Sequence, residues 1–165
     1  MAMRGISDII FKVEKLAVII IIPVMLLAMV FDIIFRYFVQ SPLIWAQELT
    51  LYTFVWCSFI GASMSIKTKE AVAVNLLVDK INPKLRNVLI VAGLIVSALF
   101  SIFIFYLSIN WITNPNILLQ KSITTQTPMI FMYICIPISL LFMSIHFLSW
   151  FLESLRFTRA GKVIE

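Results

Sequence analysis

The hydrophobic residues of this chain fall into runs too long for the core of a soluble domain. From Leu16 to about Phe35, Pro42 to Lys67, Val88 to Ile109 and Met129 to Leu152, charged side chains are almost absent. About 30 Å of hydrocarbon at 1.5 Å per residue calls for roughly 20 apolar residues, and each run meets that length. In lipid every backbone N–H and C=O must be bonded within its own segment, so runs of this kind form helices. The expected fold is an all-α integral membrane protein with four transmembrane helices. Composition agrees, since 62% of the residues are hydrophobic and only 13% charged, about half the charge fraction of a soluble domain.

We expect a single membrane domain over residues 1–165, with spans at about 16–36, 42–66, 84–109 and 128–152. Start signals support these limits. Ser41-Pro42, Asn82-Pro83 and Thr127-Pro128 each join a capping residue to a proline suited to the first helical position. Pro23 is placed to kink the first span. Ahead of it, at about 5–15, Ile6, Ile9, Ile10, Val13 and Ala17 share one helical face, with Asp8, Lys12 and Lys15 roughly opposite. That pattern predicts a short amphipathic interfacial helix in the headgroup layer. No cleavable signal peptide is evident, because the first apolar run is long and lacks a small-x-small site before Asp32.

Lysine and arginine are unevenly divided. The N-terminal segment holds Arg4, Lys12 and Lys15, the middle connection Lys67, Lys69, Lys80, Lys84 and Arg86, and the tail Arg156, Arg159 and Lys162. The other two connections hold Arg36 and Lys121 alone. The positive-inside rule then places both termini in the cytoplasm, as an even number of spans requires. The net charge of +5 reads as these membrane-flanking residues, and no nucleic-acid partner is expected.

Little here could carry solute or perform chemistry. Transport paths need ionisable groups at mid-depth or unwound helices, and the third and fourth spans are uncharged, with His146 their one titratable group near neutral pH. Haem ligation needs paired histidines, and there is one. Neither a Ser-His pair nor an aspartate dyad for intramembrane proteolysis is recognisable, so no enzyme, cofactor or metal site is expected. Cys57 and Cys135 read as small buried residues. Asp32, Arg36 and Glu48 gather at one end of the first two spans, where Arg36 is expected to bridge both carboxylates and clasp the helices. Trp45, Trp111 and Trp150 fall near span ends, as indoles do. On the second span Cys57, Gly61 and Ser65 recur every fourth residue beside Ser58 and Ala62, with Trp56 and other bulky residues around them. Such a ridge lets backbones approach closely in lipid, within the bundle or against a partner.

These residues carry a resemblance. Arg36-Tyr37, Pro42-Leu43, Trp45, Glu48-Leu49, Trp56, Phe59, Gly61-Ala62 and Lys67 follow in the order and spacing of the small membrane subunit of tripartite ATP-independent periplasmic (TRAP) transporters, the Q-type or DctQ-like component. The chain departs from that pattern after Lys67: the family often shows His-Ile-x-Val-Asp where this chain reads Ala71-Val72-Ala73-Val74-Asn75. The resemblance implies a bacterial inner-membrane scaffold that anchors a large, elevator-type, sodium-coupled subunit. A periplasmic binding protein would deliver an organic acid, a C4-dicarboxylate or a sialic acid, and overall similarity leans toward the sialic acid type. Asn114 and Lys121 in the outer loop are candidate contacts for that protein. The rival reading is a four-helix proton-coupled multidrug exporter acting as a dimer, which wants a carboxylate in mid-span. Asp32 lies at a span end.

Overall fold

The computed structural model describes residues 2–68 and 83–159. The Ala71–Asn75 departure from the family pattern and the expected cap at Asn82 lie outside the described residues. Four helices in it are long and apolar enough to cross a membrane. They are α1 (Ala2–Ile34), α2 (Ile44–Lys67), α3 (Pro83–Ile112) and α6 (Cys135–Arg159). Two single-turn helices, α4 (Pro115–Leu118) and α5 (Ile130–Tyr133), lie in the connection between α3 and α6.

Where each helix begins and ends has a local cause. A π-helical turn over Phe35–Val39 widens the end of α1, and Gln40, left-handed at φ 56, stops it. Pro42 precedes α2 instead of opening it, and the cap position belongs to Leu43, not Ser41. Leu43 has no capping side chain of its own, and its N–H is taken by Asp32, reaching across from α1. Pro83 opens α3 as expected. The last span is interrupted at Ile134. Pro137 explains the break, having no N–H for the carbonyl four residues back and a ring that crowds it.

The expected interfacial helix is not a separate element. Residues 2–34 form one α-helix of 33 residues that passes through Pro23, about 50 Å long and so well beyond the hydrocarbon thickness. Its covered face is Ser7, Phe11, Glu14, Val18, Ile21, Met25, Ala28 and Asp32, spaced alternately by four and three. Ile6, Ile9 and Val13, expected on the apolar face of a helix in the headgroup layer, point outward from the bundle. Ser7 and Glu14 turn inward because they find a partner in His146 on α6.

α1 packs on α2, α3 packs on α6, and α6 also lies against α1 and α2. The chain is apolar outside, and inside it combines many small or polar residues with a few aliphatic ones such as Ile60, Ile90, Leu94 and Leu140. Phe100, Phe103, Tyr106, Leu99 and Val96 stand on the surface, whereas Ala28, Ala46, Ala98, Ser63, Ser139 and Ser149 are buried. In lipid, helices gain from close backbone approach and not from expelling water, which is why many of the inward positions are small. Where α3 crosses α6 the Ser101 and Ser144 hydroxyls meet at 2.8 Å. Ala46→Leu, at a site with no exposure, should lower stability by about 1–3 kcal/mol through overpacking. Phe103→Leu on the outer face should leave it nearly unchanged, as thermal unfolding in detergent will show.

Candidate functional site

Three polar clusters hold the helices together, two at the end carrying the π turn and one at the end carrying the termini. The first is built on Asp32. One of its oxygens accepts from Arg36 at 2.5 Å, one turn on. The other accepts the Leu43 N–H at 3.1 Å and the Gln47 amide at 3.3 Å. A single carboxylate thus neutralises a cation, caps α2 and fixes the tight connection between the two helices. The expected bridge to Glu48 does not form. Glu48 points away, and the reason is a set of hydroxyls better placed to solvate it.

Those hydroxyls make up the second cluster. Residues 120–129 fold as a hairpin, with Ser122 N–H donating to the Thr127 carbonyl and Met129 N–H to that of Gln120. Gln126 turns it at φ 58. Glu48 accepts from the hydroxyls of Ser122 and Thr125, from Thr127 at 3.3 Å, and from the Thr125 N–H at 3.4 Å. Further along α2, Tyr52 lies 3.4 Å from the Thr127 hydroxyl, and the Trp56 indole N–H donates to the Phe131 carbonyl at 3.0 Å. Glu48, Tyr52 and Trp56 sit four residues apart on one line of the helix. Tyr52 escaped sequence reasoning, although its spacing from the other two was the signal. The cluster turns the loop tip outward, leaving Ile123 94% and Leu119 79% exposed. Lys121 is exposed beside them, and Asn114 caps α4 by accepting the Asn116 N–H at 3.0 Å.

The third cluster joins α1 to α6. Ser7 Oγ lies 2.8 Å from His146 Nδ1, and His146 Nε2 lies 3.2 Å from Glu14, all in the interior. The tautomer with its proton on Nε2 donates to one Glu14 oxygen and accepts from Ser7, while the other oxygen, Glu14 Oε1, is buried without a partner. The order Ser–His–Glu resembles a hydrolytic triad, but the adjoining cavity of about 30 Å³ has room for about one water. Two ion pairs close this end: Lys67 with Asp8 at 2.6 Å and Arg4 with Glu153 at 3.0 Å. Ser7 and Glu14, seven residues apart, could have been found from their shared face. The pairing with His146, so distant along the chain, could not.

The remaining expected site residues do not join these clusters. Trp45 is half exposed at the start of α2. Ser65 is half-buried, and Gly61 faces open space, with nothing within 4 Å of where a Cβ would stand. Cys57 and Cys135 are free thiols, and no grouping suited to a metal ion occurs among the described residues.

A chain bound together at both ends, with small residues between, matches over residues 25–157 the family described as tripartite ATP-independent periplasmic transporters, DctQ component. The chain belongs to the DctQ family. It is 30% identical over 121 residues to the C4-dicarboxylate TRAP transporter small permease protein DctQ of Rhodobacter capsulatus, covering 73% of this chain and 52% of that one. Identity to a putative TRAP transporter small permease protein of Haemophilus influenzae is 28% over 81 residues, about half of each chain. To the isethionate TRAP transporter permease protein DctMQ of Oleidesulfovibrio alaskensis it is 22% over 108 residues, 64% of this chain but 16% of that protein. The chain thus spans about half the length of the first two relatives. As a DctQ-family member with four membrane-capable helices it is a multi-pass protein of the bacterial inner membrane. The family is one of transporter permease subunits and not of enzymes.

Three substitutions test the clusters. Arg36→Gln and Asp32→Asn, singly and together, should show a coupling of about 1 kcal/mol in thermal unfolding, modest because Arg36 is half exposed. His146→Ala leaves Glu14 and Ser7 buried without their partner and should cost about 3 kcal/mol in the same assay.

Proposed function

We propose that this chain is the immobile scaffold of a TRAP transporter, holding a large membrane subunit that binds and moves the substrate. The carrying observation is where its polar groups sit. Along α1 no charge lies between Lys15 and Asp32, along α2 none lies between Glu48 and Lys67, and α3 has none from Val88 to Ile112. The charged side chains that link the helices find their partners at the two ends. A membrane chain so arranged offers helices to pack against and no route for an ion or an acid. The family match supports the same reading and does not favour the multidrug exporter.

The relative named DctMQ is far longer than the matched segment, which supports a partnership between the small subunit and a large membrane component. In our reading that component is elevator-type and sodium-coupled, and a periplasmic binding protein supplies it. The cargo is an organic acid. Two relatives carry C4-dicarboxylate in their names, which supports that class above sialic acid. Basic residues concentrated at the end bearing the termini support a cytoplasmic location for it. The outward Ile6, Ile9 and Val13 would then rest in the headgroup layer, and Ile123, Leu119, Asn114 and Lys121 would meet the binding protein.

Affinity purification from native membranes in mild detergent should bring down a much larger multi-span protein with this chain. Vesicles holding the pair, supplied with the binding protein and a sodium gradient, should accumulate an organic acid. Vesicles holding this chain alone should not, and uptake by them would overturn the scaffold reading. Ile123→Asp should reduce uptake in the full system while leaving the amount of co-purified large subunit unchanged.

A further inference from the structure

We infer that Glu14 and His146 together bind one proton inside the chain, taken up from the end bearing the termini, and that its loss loosens α1 from α6. The inference stands apart from the scaffold reading. Neither side chain is exposed at all, so charge decides how they are held. A carboxylate beside a singly protonated ring leaves a whole negative charge away from water, and buried groups neutralise when such a charge goes unmatched. The surroundings offer nothing to match it. Among the described residues the charged side chains around the pair are Arg4 and Asp8 on α1, Lys67 on α2 and Glu153 on α6. They are joined to one another, as Lys67–Asp8 and Arg4–Glu153. Lys12 and Lys15 on α1 are exposed, and the described side chains of α3 carry no charge.

One added proton removes the charge in either of two arrangements. A neutral Glu14 donates from Oε2 to Nε2, or a doubly protonated ring donates from Nε2 to the carboxylate, and both keep the 3.2 Å contact. The proton thus belongs to the pair and to neither residue alone. In both arrangements Nδ1 carries a hydrogen and donates to Ser7 Oγ at 2.8 Å. The partnerless Oε1 is then left with less charge to solvate. The geometry also gives the proton a way in. Ser7 and His146 line the cavity of about 30 Å³, whose other walls include Ser149, Lys67 and Glu153. Lys67 and Glu153 reach the surface, and the space between holds about one water. A single water there links the solvent at that end to the Ser7 side of the ring. Once the proton leaves, the unmatched charge sits in the contact that fastens α1 to α6, and the fastening weakens.

The chain has one histidine, so nuclear magnetic resonance of nitrogen-15-labelled histidine in lipid nanodiscs reports this ring alone. At about pH 7.5 the Nδ1 signal should be that of a protonated nitrogen, and a bare Nδ1 overturns the inference. A second measurement reads the proton as stability. Above about pH 7 an unfolded chain has an ionised glutamate and a neutral histidine, so the folded chain holds one proton more. Stability should therefore fall as pH rises. Over one pH unit upward from about 7.5, the unfolding constant of the wild type in detergent should rise about tenfold more than that of Glu14→Gln, which has no charge to neutralise. Equal rises in the two overturn the inference as well. Should Glu14→Gln fail to fold, the wild-type Nδ1 signal decides by itself.

Discussion

A carboxylate in hydrocarbon must be matched with donors or it drives the helix out of the membrane. In this chain Asp32 and Glu14 lie on one face of one helix and each draws a partner from a neighbouring helix, Glu14 through one of its two oxygens. Eighteen residues separate them, roughly 27 Å along the axis, close to the thickness of the apolar layer. Asp32 is matched by Arg36, Gln47 and the start of α2, and Glu14 by His146 of α6. The polar requirements of α1 therefore fix its neighbours at both ends. The rest of the bundle follows: α2 is tied down by Asp32, and α6 by Glu14 and Ser7.

Between those fastenings the interior relies on size. Buried alanines and serines bring the helices close, and the Ser101–Ser144 contact supplies a polar bond at no cost in volume. The outer surface carries the large side chains that a soluble protein would bury. This inversion suits a component whose partners also live in lipid, since nothing but fit and small-residue contact distinguishes one apolar neighbour from another.

The apolar runs were enough to read the helices, because length and charge exclusion in a bilayer leave a chain few alternatives. Helix limits were legible to within a few residues at α2 and α3. The start of α2 was misplaced because its cap comes from Asp32, a tertiary contact invisible to local patterning. At the N-terminal end the inward turn of Ser7 and Glu14 was not legible for a similar reason, since His146, their partner, lies more than 130 residues away. Arg36 with Asp32 was legible as an (i, i+4) pair. Glu48 was not, since its partners lie in a hairpin more than seventy residues away, written in threonines and serines that have no pattern of their own.

The two ends of the molecule are fastened by different kinds of bond. At the end bearing the termini, Arg4–Glu153 and Asp8–Lys67 include side chains that are mostly in water, 67% exposed for Arg4 and 54% for Asp8, and dissolved ions weaken such attractions. At the far end the Glu48 carboxylate is held by hydroxyl groups, with no cation opposite it among the described residues, so there is little for counter-ions to compete with. The hairpin would keep its shape as brine replaces fresh water around the cell, while the ends of α1 and α6 loosen or tighten with the salt content on their own side.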